Sequence, residues 1–248
     1  MIRAGILVVL CACGRLHFDP LGAGDGGGGG GGGGDAPAIV IDASGDAITA
    51  DGPTVPPTAC GATQLVSDGF DTGVTTGVWI VSNGTGLSIQ QANSNMEVDF
   101  AATVNAGKAA YYRSANAFAS DGLCGVAEVA GTPSAPAASM FVKLYTSAQM
   151  VDFDVHGGVV DLRSQSNQTL TTYATLPWDP VADRFLRLRH ASGVTYWDTS
   201  PDGTTYVQRF SATGFPVANC QLELGAGAET TASNAGAALF ASAAAYGP

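Results

Sequence analysis

The most constraining stretch of the chain is Arg184 to Phe210, RFLRLRHASGVTYWDTSPDGTTYVQRF. Leu186 and Leu188 alternate with Arg187 and Arg189, and Val194 and Tyr196 alternate with Thr195 and Trp197. Period-two alternation between turn signals is the mark of antiparallel strands and hairpins. His190-Ala191-Ser192-Gly193 makes the first turn. Ser200-Pro201-Asp202-Gly203 makes the second, since proline presets φ at the second position and Asp and Gly suit the third and fourth. A first strand from Arg184, a second over Val194–Thr199 and a third over Thr204–Phe210 form a three-strand meander.

The same pattern recurs along the chain. Short alternating runs are expected at residues 66–71, 78–81, 87–89, 96–100, 109–113, 123–130, 140–146, 150–155, 159–163, 169–176, 220–224 and 237–246. Gly, Pro, Asn and Asp punctuate them, and no convincing amphipathic helix appears. This predicts an all-β fold of two packed antiparallel sheets over residues 60–248.

Residues 1–12 read differently. Arg3, the apolar run Ala4–Leu10 and the small residues after it form a short export signal, too short to span a bilayer as a helix. Residues 13–59 read as a linker: Gly26–Gly34 is an unbroken glycine run with no side chains to bury. As a flexible coil such a segment spans about 35–40 Å. No strand precedes the glycines and no helix follows with a placed Lys or Ser/Thr, so they do not form a phosphate cradle.

The chain has a formal net charge of −11, and residues 60–248 hold 8 basic against 15 acidic groups. Without a basic patch, nucleic acid is not an expected partner. Five cysteines are present. Cys60, Cys124 and Cys220 lie in or beside the domain, and export places them where disulfides persist. Cys124 and Cys220 sit in strand-like segments, which favours a Cys124–Cys220 bond, with Cys60–Cys220 and Cys60–Cys124 as alternatives. No paired zinc spacing or dense calcium loop occurs, so no metal or cofactor is expected.

Chemistry concentrates at Val151-Asp152-Phe153-Asp154-Val155-His156. On a strand, Asp152, Asp154 and His156 share one face and the apolar residues the other. Tyr145, Trp178, Trp197 and Tyr206 are candidate aromatic platforms for sugar faces, with core packing as the competing role for each.

Two resemblances extend this reading. Leu10-Cys11-Ala12-Cys13 resembles a bacterial lipobox, which implies cleavage before Cys13, acylation of that residue and attachment to a lipid bilayer. Cys11 is the alternative site, and a cleavable secretory signal without lipid is the competing reading. The meander RLRH.SGVTYWDTSPDGTTY, together with Val66–Asp71 and Val78–Val81, resembles concanavalin A-like lectin/glucanase jelly rolls over residues 66–246. That implies a jelly-roll sandwich. Residues 151–156 look like a degraded form of the E-x-D-x-E strand of the retaining glucanases, which carries nucleophile, helper and general acid. Both outer glutamates are missing. Residues four apart on a strand have Cα atoms about 13 Å apart, so Asp152 and His156 are not expected to reach the separation of about 5–5.5 Å that retention needs. No catalytic residue is therefore assigned. The expectation is a non-catalytic envelope lipoprotein, at the outer membrane or cell surface, whose sandwich binds a carbohydrate or an envelope protein. Asp152, Asp154, His156, Trp178 and Trp197 are its candidate contacts. A glycoside hydrolase with atypical acids and a structural envelope protein are the alternatives.

Overall fold

The computed structural model describes residues 60–71, 77–215 and 219–248. Cys13 and the segments expected to be an export signal and a linker lie outside these residues. The strands are β1 (Thr63–Asp68), β2 (Trp79–Ser82), β3 (Leu87–Ala92), β4 (Asn95–Phe100), β5 (Thr103–Val104), β6 (Lys108–Ser114), β7 (Cys124–Gly131), β8 (Ala138–Tyr145), β9 (Gln149–His156), β10 (Val159–Ser166), β11 (Thr169–Pro177), β12 (Phe185–Ala191), β13 (Val194–Ser200), β14 (Val207–Thr213), β15 (Gln221–Ala228), β16 (Ala232–Ser233) and β17 (Ala237–Gly247). An eight-stranded sheet runs β14-β13-β12-β7-β17-β4-β3, with β1 also on β17. A seven-stranded sheet runs β11-β10-β9-β8-β15-β6-β2. All their pairings are antiparallel.

Local turn chemistry sets the registers. Asn93-Ser94, Gly157-Gly158, Asn167-Gln168 and Ser192-Gly193 each close a two-residue hairpin with both residues at positive φ. This twist matches the right-handed twist of the flanking strands. At the second meander turn, Ser200 Oγ accepts from the Asp202 and Gly203 amides, and Asp202 Oδ1 accepts from those of Thr204 and Thr205. Those last two bonds hold the Asp202 carboxyl well below the usual carboxylate range. The same Asx geometry keeps residues 204–206 in the turn, so the third meander strand begins at Val207 rather than Thr204.

The two sheets bury one apolar core. Leu186, Leu188 and Trp197 of the eight-stranded sheet meet Leu144, Val151, Phe153 and Leu162 of the seven-stranded sheet. Trp79 lies in this core, 5% exposed, and its indole donates to Asp68 Oδ2 at 2.8 Å.

The disulfide is Cys60–Cys124, with Cα atoms 5.6 Å apart, and not the favoured Cys124–Cys220. Strand alternation explains the correction. A Cβ on Gly125 would meet Leu222 and Leu144, so Gly125 faces the core and Cys124 faces outward. There Cys124 packs with Val126, Ala244, Tyr246, Cys60 and Tyr206. Cys220 is a buried member of the core cluster, on the other side of the sheet. Burial pushes its thiol up to about 11.

Candidate functional site

The seven-stranded sheet turns Val151, Phe153 and Val155 into the core. Asp152, Asp154 and His156 therefore share its outer face, as the alternation predicts. They are not an exposed row. Asp152 and Asp154 are 0% and 1% exposed, and only His156 is half-buried.

The cause is a cross-strand charge ladder. Arg113 of β6 pairs with Glu223 of β15, Glu223 with Lys143 of β8, Lys143 with Asp152 of β9, and Asp152 with Arg163 of β10. Opposite charges thus alternate across five adjacent strands, the stabilising arrangement for directly opposed side chains. Arg113 contacts Glu223 Oε2 at 2.5 Å, and Lys143 Nζ lies 3.4 Å from Glu223 Oε1. Arg163 binds Asp152 through two bonds, Nε to Oδ1 at 3.2 Å and Nη2 to Oδ2 at 2.8 Å. Its Nη2 also reaches Asp154 Oδ1 at 3.0 Å, and its Nη1 reaches Glu229 Oε1 at 2.7 Å.

This arrangement fixes the electrostatics. Burial opposes the charge of Arg163, but Asp152, Asp154 and Glu229 hold it protonated far above its ordinary range. Burial pushes Asp154 up to about 6 against the pull of Arg163, and Asp152 and Glu229 add to the rise. His156 Nε2 lies 3.3 Å from Asp161 Oδ2 and 3.9 Å from Asp154 Oδ2. Thr175 donates to Asp161 Oδ1 at 2.6 Å.

Beside the ladder, aromatic rings and cations stack. The Arg113 guanidinium lies 4.7 Å from the Tyr111 ring and 4.0 Å from the Tyr145 ring, while Lys143 Nζ sits 3.5 Å from the Phe141 ring. Cation–ring attraction of this kind holds both partners. Gly225 lies opposite both Tyr111 and Phe141, and a Cβ there would fall 2.7 Å from Tyr111 Cβ and 2.8 Å from the Phe141 ring. Only glycine lets the two rings close over that strand.

The other sequence candidates separate. Trp197 is 0% exposed, edge-on to Tyr173 and tilted against Phe210, so it packs as a core residue. Trp178 is half-buried against the core, and its indole N–H has no partner among the described residues. Tyr206 packs on the opposite outer face, its ring 3.8 Å from the Arg187 guanidinium. Tyr145 does lie on the candidate face. The structure adds Arg113, Lys143, Asp161, Arg163, Glu223 and Glu229, none of which the sequence singled out. A cleft of about 30 Å³ elsewhere, lined by Gln149, Ser164, Thr195 and Phe215, is too small for a sugar ring. Among the described residues, no group of three or more His, Cys, Asp or Glu is arranged to hold a metal ion.

This sandwich is similar to solved glycoside hydrolases. A prokaryotic β-1,3-1,4-glucanase (lichenase) derived from a mouse hindgut metagenome superposes with a TM-score of 0.56 at 15% identity, covering 75% of this chain and 99% of that one. The Bacillus licheniformis β-glucanase gives 0.55 at 10% identity, covering 75% and 99%. A glycosyl hydrolase family 16 protein from Mycobacterium smegmatis gives 0.53 at 11%, covering 74% and 100%. At these identities the likeness establishes the fold, a concanavalin A-like two-sheet sandwich. No protein-family model and no curated protein matches the chain.

Proposed function

We propose that this chain is an envelope lipoprotein whose β-sandwich binds a glycan without hydrolysing it. The observation that carries the reading is the Arg163 clamp on the strand Val151–His156. A glycosidase carboxylate must reach the anomeric carbon or the leaving oxygen. Asp152 and Asp154 instead point into Arg163 and are buried. The groups left within reach of a ligand suit recognition: the half-buried Tyr111, Arg113 and Tyr145, with His156, Asp161 and Glu229 beyond them. Rings accept the apolar face of a pyranose, and the polar groups accept its hydroxyls. The β-glucanases of this fold make neutral β-glucans one arm of the test panel.

The envelope address rests on Leu10–Cys13 and the glycine-rich segment that follows it. Several acyl chains anchor firmly where one is marginal. The wild-type chain should partition with membranes, and Cys13→Ser should move it to the aqueous fraction. An unmodified mature Cys13 by mass spectrometry would remove this part of the reading.

Glycan arrays and calorimetry test the binding. Tyr111→Ala and Tyr145→Ala should weaken a glycan that the wild type holds, with the fold intact by circular dichroism. No binding to any glycan would refute the reading.

A second reading has its own support. A carboxyl poised at about 6 beside other acids is in the range of a general acid. Glycan hydrolysis lost in Asp154→Asn would establish that alternative.

A further inference from the structure

The candidate face holds more acid than Arg113, Lys143 and Arg163 together neutralise, and the surplus lies at the Arg163 end. Arg163 commits Nε and Nη2 to Asp152, Nη2 also to Asp154 Oδ1, and Nη1 to Glu229 Oε1. Asp154 Oδ2 receives no hydrogen bond, although the residue is 1% exposed. A buried carboxylate oxygen without a donor is costly, so its persistence points to a donor from outside the chain. His156 shows where such a donor would sit. Its Nε2 lies between Asp161 Oδ2 at 3.3 Å and Asp154 Oδ2 at 3.9 Å. The second distance is too long for a hydrogen bond. The imidazole side chain is 31% exposed, so a ligand amine can approach this position from solvent, where it would replace the contact of the imidazole with Asp161.

We infer that this end of the face binds the protonated primary amine of an amino sugar, so that the ligand is a glycan with free rather than acetylated amines. The inference rests on the glycan-binding reading and names the substrate class of that site. A primary ammonium has three N–H donors. Asp154 Oδ2 and Asp161 Oδ2 flank the position that His156 Nε2 now holds and supply acceptors there, while Glu229, bound to Arg163 Nη1, adds negative charge; charge-assisted bonds of this kind are the strong ones. A metal ion fits less well, because among the described residues no group of three or more His, Cys, Asp or Glu is arranged to hold one.

The charged and titratable groups around Asp154 are Asp152 and His156 on its own strand, Asp161 and Arg163 on β10, Lys143 on β8, Glu223 on β15 beyond it, and Glu229. Because burial pushes Asp154 up to about 6, amine affinity should fall as pH drops through that value.

The experiment is calorimetric titration of the full chain near neutral pH. The probes are a fully deacetylated β-1,4-glucosamine tetramer, its N-acetylated counterpart, cellotetraose, spermine and calcium. The deacetylated tetramer should bind at least tenfold more tightly than either neutral oligomer and than spermine. That preference should disappear in Asp154→Asn. Glu229 is 41% exposed by side chain, so Glu229→Gln should fold regardless and reduce the preference several-fold. Equal affinity for all three oligosaccharides would overturn the inference and leave glycan binding standing. Spermine binding as tightly, or calcium binding that depends on Asp154, would also overturn it. Binding of no oligosaccharide would overturn both the inference and the reading it rests on.

Discussion

The indole N–H of Trp197, on β13, donates to the backbone carbonyl of Asp152, on β9, at 2.8 Å. One bond thus ties the core of the eight-stranded sheet to the strand that carries the candidate site. Trp197→Phe should lower stability by about 2 kcal/mol through the lost bond and the smaller ring. Denaturant titration reads the loss. Glycan affinity per folded molecule should stay unchanged, which separates a core role from the ligand platform.

The Arg163 clamp predicts a larger effect. Arg163→Met strips Asp154 of its buried ion-pair partner and leaves Asp152 with only Lys143 opposite it, and removing one partner of a buried pair costs about 3–5 kcal/mol. The deficit should shrink toward acidic pH, where the carboxyls take up protons. Urea titrations at neutral and acidic pH check both statements. A deficit that grows with acidity would contradict them.

Asp154 itself predicts a pH dependence. Its folded value, about 6, is above its ordinary value of 3.8. The folded chain therefore binds this proton more tightly than the unfolded chain does. The resulting stability is fully present below about 3.8 and is lost as pH rises through about 6. Asp154→Asn should flatten the stability profile of the wild type across that window. Parallel profiles for the two proteins would contradict the assignment.

Cys60–Cys124 encloses a sequence separation of 64 residues. In the chain-entropy model a loop of that size stabilises by about 4 kcal/mol. Cys60→Ser should lower stability by that order, and peptide mapping without reduction should recover the Cys60–Cys124 pair. Cys220 should resist alkylation until the chain unfolds, because it is buried.

Much of the sheet pattern was legible because alternation and turn chemistry are local. The meander, the VDFDVH strand and the outward set of Asp152, Asp154 and His156 all follow from period-two spacing. The Gly157-Gly158 turn held further information. With a two-residue loop there, counting outward sets Asp161 opposite Asp154 and Arg163 opposite Asp152. The clamp was thus within reach of the sequence. Glu223, Lys143 and Glu229 were not, because their placement depends on β8 and β15 meeting across a sequence separation of about eighty residues. The disulfide failed for a related reason. Strand membership says that a cysteine is held in place, but only the sheet's inner and outer faces show that Cys124 and Cys220 point apart. Trp197 and Tyr145 looked alike as platform candidates, and only burial distinguishes them.

The most direct test of the central claim measures binding and turnover on the same samples. The wild-type chain is incubated with a panel of β-glucans and amino glycans, its affinity is measured by calorimetry, and released reducing ends are measured alongside. The account predicts saturable binding to at least one glycan, with no release above a protein-free control. Release that follows protein concentration and disappears in Asp154→Asn would contradict it.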